Sequence, residues 1–254
     1  MCIRDRARTL EAILLITVVN VRNLPQAGRI NEIFTYSKEI TAKFIKIATP
    51  VVINEILWST GVTMYAVVYG RMGTDVMASM TITQTIEQIA FVVLIGTGNA
   101  CGIMLGNDLG AGKDDVFESA KRFIKVNVLI GLVVGAVVIL IAPVIAGFYD
   151  VTPAVQNNIR NTLRVYGMYL PFKAVNLVII VGILRSGGDT TFAAVLDAVG
   201  VWGVGVPLAF LSGIFLGWPI PVVYALVLFE EFFKIGFGLK RTYSKKWMNN
   251  LVEH

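Results

Sequence analysis

The sequence predicts an all-α, polytopic membrane protein: a lobe of six membrane-spanning helices, preceded by the end of another helix. Composition is one reason, because 56% of the residues are hydrophobic and only 15% are charged, whereas soluble domains carry about 25% charge. Segment length is the other, since a membrane helix needs about 20 mostly apolar residues. Six stretches meet that requirement: residues 44–69, 77–105, 123–148, 161–184, 190–215 and 219–239.

The residues before the first span do not form a complete membrane helix. Residues 1–8, which begin MCIRDR, are interpreted as a non-native or unassigned start. Leu10–Val21 is apolar but too short to cross a bilayer, and the residues that end it offer no signal-peptide cleavage site. We interpret residues 9–43 as the end of a preceding helix followed by a basic cytoplasmic linker, and we expect the chain to be a fragment.

Basic residues next to the spans predict the orientation, because they are retained on the cytoplasmic side. One set flanks the ends that should share that side: Arg22, Arg29, Lys38, Lys43, Lys46, Lys113, Lys121, Arg122, Lys125, Arg185, Lys240, Arg241, Lys245 and Lys246. The opposite ends carry Arg71, Arg160 and Arg164. Both ends of the lobe, residues 44–240, and the tail, residues 241–254, are therefore expected to be cytoplasmic in a multi-pass protein of the plasma (inner) membrane.

The composition also argues against several classes of function. Cys2 and Cys101 lie far apart and His254 is terminal, so neither a disulfide framework, a metal site of Cys and His, nor histidine-based catalysis is expected. The net charge of +5 is explained by the cytoplasmic basic residues, so no nucleic-acid partner is expected. The glycine run before Asp114 has the wrong spacing for a P-loop. We predict no enzyme activity and no cofactor, and we expect membrane lipids as partners.

A carboxylate marks the first span. Glu55 lies near the middle of an otherwise almost uncharged run, where an ionised acid costs about 2.5–3.5 kcal/mol and usually marks an ion or substrate path. Pro50 is expected to bend the helix just before it, and Ser59 shares its face one turn later. With Asn54, these residues predict a site for a cation, such as Na⁺, or a proton. The alternative is a structural carboxylate bonded to a neighbouring helix.

The second span begins with side chains too polar to face lipid. Gln84 and Gln88 share a helical stripe and Glu87 lies on an adjacent one. We predict that they line a central cavity. The alternative is interhelical hydrogen bonding, to which such side chains also contribute.

A second ionisable set lies in the last two spans. Asp197 and Glu231 are predicted at similar depth on the cytoplasmic side, close enough to meet. Glu230 and Lys234 stand four residues apart and can pair on one helical face. The favoured interpretation is a structural or gate-forming cytoplasmic ion network, and the alternative is a proton relay.

Glycine and proline predict the turns and the flexible points. Gly217-Trp218-Pro219 predicts a tight hairpin between the last two spans. Residues 185–190, RSGGDT, predict a turn with glycine at positive φ and Asp189 or Thr190 capping the next helix. A GxxxG pair in the third span predicts close helix packing, and residues 200–207, GVWGVGVP, predict a bendable segment.

Several motifs together resemble the multidrug and toxic compound extrusion (MATE) antiporters, in their C-terminal six-helix lobe. They are Pro50, Asn54-Glu55 and Trp58; Tyr69-Gly70-Arg71-Met72-Gly73-Thr74; Gly106 with Leu109-Gly110-Ala111-Gly112-Lys113; Gly182 to Thr190; and Trp202 with Pro207-Leu208. The resemblance covers about residues 9–251. It implies two pseudo-symmetric lobes, alternating access, and export of small cationic or amphipathic substrates in exchange for Na⁺ or H⁺. It also implies a partner, the N-terminal lobe of the same polypeptide, and places Glu55 in the cation site.

The fourth span departs from the family pattern. Many members carry an aspartate there, whereas residues 172–176 read FKAVN. Lys173 is expected to neutralise Glu55 or to meet anionic groups of a substrate, and Asn176 to offer a neutral oxygen to a cation. Tyr65 and Tyr169 are expected to line an adaptable substrate pocket. Two alternatives stay open: a flippase for lipid-linked intermediates in the same superfamily, and a non-transporting membrane scaffold.

Overall fold

The computed structural model describes residues 3–22 and 38–249. These residues form helices joined by short turns, with no strand among them, which confirms the all-α prediction. The chain divides into two compact units, residues 1–46 and 47–254. The linker around Arg29 and the end of the predicted tail lie outside the described residues.

The first unit contains helix α1, Ile3–Val21, and the start of helix α2, Lys38–Arg71. Within α1, Thr9–Val21 is an apolar helix shorter than a membrane span. Its large apolar side chains, such as Leu10 and Ile16, are exposed. Its interpretation as the end of a preceding membrane helix stays a prediction.

The described residues of the second unit contain five helical stretches long and apolar enough to cross a membrane. They are Ala48–Arg71 in α2, Thr74–Gly110 (α3), Val116–Phe148 (α4), Pro153–Leu184 and Thr190–Phe215. The fourth consists of α5, Pro153–Leu177, and a wider π-helical segment, Val178–Leu184. The fifth consists of α6, Thr190–Ala198, the π-helical Val199–Gly205, α7, Val206–Phe210, and the π-helical Leu211–Phe215. These stretches correspond to the first five predicted spans, and the protein is a multi-pass membrane protein.

The sixth predicted span takes a different form. Residues 219–239 do not make one apolar helix; the structure has α8, Ile220–Leu228, and α9, Glu230–Tyr243, meeting at Phe229. The apolar character ends with α8, because α9 begins with Glu230 and Glu231 and contains Lys234. The hairpin before α8 is confirmed: Gly217 has a φ of 62°, and the Trp218 amide donates to the Ser212 carbonyl at 3.0 Å.

Glycines bring α4 and α5 into direct backbone contact. A Cβ on Gly131 would lie 2.6 Å from the Cα of Pro171, and one on Gly135 would meet the carbonyl of Gly167. Real Cβ atoms do not approach so closely, so both positions require glycine. The close packing predicted from this GxxxG pair is confirmed.

The glycine turn and the start of the predicted tail pack together. Gly188 has the predicted positive φ, 76°, but the capping prediction is wrong for the Asp189 side chain, which makes no cap hydrogen bond. Its carboxylate accepts from Nε of Arg241 at 2.6 Å, and this hydrogen bond raises the pKa of Arg241. Trp247 is fully buried against the same turn, which ties the end of α9 to the start of α6.

Candidate functional site

A cavity of about 260 Å³ lies within the second unit and collects most of the predicted polar residues. Those that line it are Tyr65, Gln84, Glu87, Gln88, Lys173, Glu230, Glu231 and Lys234. Aromatic side chains form much of the remaining wall: Trp58, Tyr69, Phe91, Tyr166 and Tyr224. We call this the aromatic cavity. It combines a few charged groups with a largely apolar wall, which is the usual composition of a small-molecule site.

Glu87 is held by two tyrosines on its side of the aromatic cavity. The Tyr224 hydroxyl donates to the Glu87 carboxylate, and the Tyr166 hydroxyl donates to the Glu87 carbonyl at 3.4 Å. Glu87 therefore lines a cavity and also takes part in the interhelical hydrogen bonding that was the alternative interpretation. Sequence reasoning missed Tyr224, whose only signal is a hydroxyl placed within the apolar run of α8.

The predicted ion network forms, and it extends into the aromatic cavity. Nζ of Lys234 lies 2.7 Å from a carboxylate oxygen of Asp197 and 3.2 Å from one of Glu230. The Tyr65 hydroxyl donates to Glu230 at 2.8 Å. Lys234 is only 4% exposed. A set assigned to a separate cytoplasmic network therefore shares a wall with the predicted substrate residues.

One predicted contact of this network is replaced. Asp197 and Glu231 were expected to meet, but Asp197 pairs with Lys234, and Glu231 accepts from Nδ2 of Asn176 at 2.7 Å. The reason is that two like charges gain nothing from each other, whereas each carboxylate gains from a donor.

Two glycines of the predicted bendable segment make room for the network. A Cβ on Gly205 would collide with the Tyr65 hydroxyl and a Glu230 oxygen, and one on Gly200 would collide with the side chain of Lys234. The π-helical segment Val199–Gly205 contains both glycines. Such segments frequently occur at functional sites.

A second cavity, of about 280 Å³, joins the predicted cation residues to the network. We call it the cation cavity. Its charged and amide side chains are Glu55, Asn99, Lys173, Asn176, Arg185, Asp197, Glu231 and Lys234. Asn176 is 3% exposed, and its Oδ1 is buried without a hydrogen-bond partner in the described part of the chain. That oxygen is available to a ligand.

The other members of the predicted cation set lie in different surroundings. Ser59 and Glu55 share a groove on the face of α2. Asn54, the neighbour of Glu55, points elsewhere: it is 3% exposed, its Oδ1 has no hydrogen-bond partner among the described residues, and it lines neither cavity. Successive helical residues point about 100° apart, which separates the two side chains.

Glu55 has a counter-ion that sequence reasoning missed. Its carboxylate accepts from the Arg185 guanidinium at 2.8 Å, and its side chain remains 56% exposed. Lys173 had been expected as one neutralising partner, but its ammonium lies over the Tyr166 ring, 5.6 Å from the centroid. No local sequence pattern predicts the Glu55–Arg185 pair, because the two residues are 130 positions apart in the chain.

Tyr169 does not line either cavity. Its ring packs against Phe172 and Phe232, with centroids 6.3 and 5.6 Å away. Tyr166, three residues earlier, faces the aromatic cavity. A step of three residues turns the side chain by about 60° around the helix, which is enough to move Tyr169 into the aromatic cluster.

Comparison with known proteins identifies a family match and several relatives of this chain. The MatE family model matches residues 50–211. The "Uncharacterized transporter YisQ" of Bacillus subtilis is 23% identical over 245 residues, covering 95% of this chain and 53% of the relative. A "Probable multidrug resistance protein NorM" of Listeria monocytogenes is 24% identical over 206 residues, covering 77% and 44%. The chain thus spans about half the length of the curated relatives it matches.

Solved structures agree with this match at the level of the fold. A crystal structure of MATE in the straight conformation superposes with a TM-score of 0.78 at 16% identity, covering 92% of this chain and 54% of that one. An inward-facing MATE family transporter of the MOP superfamily gives 0.70 at 17% identity, covering 87% and 52%. Each neighbour is matched over about half of its length, as the curated relatives are.

Proposed function

The chain belongs to the MatE family, and we propose that it forms the C-terminal half of a secondary active multidrug and toxin efflux antiporter. The complete protein would export amphipathic or cationic compounds in exchange for Na⁺ or H⁺. The observation that carries this proposal is the aromatic cavity, where charged groups and aromatic walls meet inside one helical lobe. The multidrug resistance names of several relatives support the same assignment.

We assign coupling to the cation cavity. Glu55 is the carboxylate expected from the resemblance, and it lines the same cavity as the Oδ1 of Asn176, which has no hydrogen-bond partner in the described part of the chain. Asn54 and Ser59 flank Glu55 on α2. Carboxylate and amide oxygens are ligands suited to a hard cation, and a carboxylate alone suffices for a proton. The ion that drives transport would displace Arg185 from Glu55.

The remaining assignments follow from the transporter proposal. Both ends of the lobe would be cytoplasmic in the plasma membrane, and the partners would be membrane lipids, an N-terminal lobe and a small-molecule substrate. No enzymatic step is assigned, and neither a cofactor beyond the coupling ion nor a nucleic acid is required. The flippase alternative is not favoured, because the basic side chains in the aromatic cavity, Lys173 and Lys234, are accompanied by three carboxylates, Glu87, Glu230 and Glu231.

Transport by the full-length polypeptide in proteoliposomes tests this proposal. Two fluorescent amphipathic compounds, one cationic and one bearing a carboxylate, are loaded, and the movement of each is followed under imposed Na⁺ and H⁺ gradients. We expect movement driven by one of the two gradients, and we expect Glu55→Gln to abolish it with expression unchanged. Glu118→Gln is the matched control, because Glu118 is exposed and pairs with Lys121 outside both cavities. Transport that ignores both gradients would contradict the antiporter proposal, and full coupling in Glu55→Gln would remove Glu55 from it.

A further inference from the structure

Lys173 differs from the other charged side chains of the aromatic cavity, because those already have polar partners. The pairs are Glu87 with Tyr224, Glu230 with Tyr65 and Lys234, Glu231 with Asn176, and Lys234 with Asp197. Within the described residues, Lys173 makes no ion pair and no hydrogen bond: its ammonium faces the Tyr166 ring at 5.6 Å, and its charge attracts the Glu87 carboxylate without direct contact. Among the charged side chains of the aromatic cavity, Lys173 is therefore the one whose N–H donors have no hydrogen-bond acceptor in the described residues.

An ammonium in this position calls for an acceptor. It carries three N–H donors, and a contact with a ring face satisfies none of them as a hydrogen bond. Lys173 is half-buried, and a charge partly withdrawn from water gains from a partner, most of all inside a membrane. Lys173 also lines the cation cavity, so a ligand in either cavity can approach it.

The surroundings of Lys173 indicate the rest of the ligand. Trp58 and Phe91 line both cavities beside it, and Tyr166 lies under its ammonium. Flat aromatic surfaces favour a flat aromatic ligand. A volume of about 260 Å³ lies just below the usual range of roughly 300–1,000 Å³ for drug-sized ligands, so it suits a compound of one or two rings.

We propose that Lys173 forms an anion-binding subsite, and that the substrates this lobe holds are small aromatic compounds bearing a carboxylate. The carboxylate accepts hydrogen bonds from the Lys173 ammonium, and the ring lies between Trp58 and Phe91. This inference rests on the proposed transport function and names the substrate class of the same cavity. The rival ligand is an aromatic amine, which the carboxylates Glu87 and Glu230 would attract.

Binding to the purified chain in detergent distinguishes the two ligands. The probes are 2-naphthylacetate, 2-naphthylacetamide and 2-naphthylethylamine, which share a ring and differ in charge, and binding is measured by isothermal titration calorimetry. We expect the carboxylate to bind about tenfold more tightly than the amide, as a charge-assisted hydrogen bond predicts, and the amine to bind most weakly.

Variants at the same position assign the preference to Lys173. Lys173→Gln should bring the affinity for the carboxylate down to that for the amide and leave the amide unchanged. Lys173→Arg should keep the preference, because it retains the charge. Lys113→Gln is the control, because Lys113 lies in the loop after α3 and already pairs with Asp108 at the end of that helix. If Lys173→Gln loses binding of every probe, Lys173→Arg tests the subsite instead: a retained preference for the carboxylate supports it, and a lost preference contradicts it.

Three results would overturn the subsite: tightest binding of the amine, no discrimination between carboxylate and amide, or a preference that survives in Lys173→Gln or vanishes in Lys173→Arg. The outcome is separable from that of the proposed function. Gradient-driven export of an organic cation without carboxylate binding would refute the subsite alone. Carboxylate binding lost on Lys173→Gln, without gradient-driven transport of any probe by the full-length polypeptide, would leave the subsite and refute the transporter.

Discussion

Two acid–base contacts line the cation cavity, and they differ in exposure and in the number of partners. Lys234 is 4% exposed and contacts both Asp197 and Glu230. The Glu55 side chain is 56% exposed, and within the described residues its one ion pair is with Arg185. Breaking a buried pair costs about 3–5 kcal/mol, whereas an exposed pair contributes about 0–1 kcal/mol. The buried network therefore suits holding helices together, and the exposed Glu55 carboxylate suits exchange of its partner for a ligand ion.

The largest effect is expected from Lys234→Met. The substitution keeps the volume but leaves Asp197 and Glu230 buried without their cation, so we expect a loss of about 3–5 kcal/mol in the free energy of unfolding. Equilibrium unfolding in mixed micelles measures it. Adding Asp197→Asn and Glu230→Gln should recover part of the loss, because the uncompensated charges are then removed. A single variant as stable as the parent would show that the network does not hold the helices.

A smaller loss is expected from Gly205→Ala. The added methyl would collide with the Tyr65 hydroxyl and a Glu230 oxygen, and overpacking of this kind costs about 1–3 kcal/mol. Gly203→Ala is the matched control in the same π-helical segment, because its Cβ would lie at an ordinary 3.5 Å from Val199. The same unfolding measurement compares them. Equal stability of the two variants would contradict the close contact at Gly205.

Removal of one hydroxyl tests the edge of the network. Tyr65→Phe deletes the donor to Glu230 and should lower the free energy of unfolding by about 1 kcal/mol. Tyr169→Phe should change it by a few tenths at most, since only ring contacts of Tyr169 are found in the described part of the chain. The reverse order of effects would show that Tyr169, rather than Tyr65, belongs to the site.

The smallest effect on stability, and the most informative for coupling, is expected from Arg185→Gln. We expect a change below about 1 kcal/mol in the free energy of unfolding, because the Glu55 side of the pair is exposed to solvent. The variant frees Glu55, so the coupling ion should act at a concentration up to about fivefold lower, the factor that corresponds to about 1 kcal/mol. Transport measured against Na⁺ concentration and against pH detects the shift. Arg185→Lys should restore the parent value, and an unshifted Arg185→Gln would show that Arg185 does not compete with the ion.

Local patterns predicted much of this molecule. The first five spans follow from runs of apolar residues, because a bilayer imposes length and hydropathy on each helix separately. The Glu230–Lys234 pair follows from helical periodicity, and the glycine packing of α4 and α5 from a spacing of four. The prediction for the sixth span was wrong in form, because the mean hydropathy of residues 219–239 hides a change at Phe229. The apolar helix ends there and the charged one begins.

Local patterns did not predict the contacts between segments that are distant in the chain. Arg185 meets Glu55 across 130 positions and Tyr224 meets Glu87 across 137. Either acid has several candidate partners in the sequence, and periodicity does not choose among them. Asn176 was predicted as a cation ligand, and only the structure reveals that its amide nitrogen donates to Glu231 while its oxygen has no hydrogen-bond partner among residues 3–22 and 38–249.

By itself, the sequence determined the membrane class, the positions of the main helices and the identity of most cavity-lining polar residues. These depend on hydropathy and on the geometry of a single helix, which are local properties. The tertiary structure decided how the charged side chains pair: Lys234 contacts two carboxylates, the exposed Glu55 pairs with the half-buried Arg185, and Lys173 lies over the Tyr166 ring. The reason is that pairing depends on the side by side placement of helices remote in the chain, and that placement follows from packing.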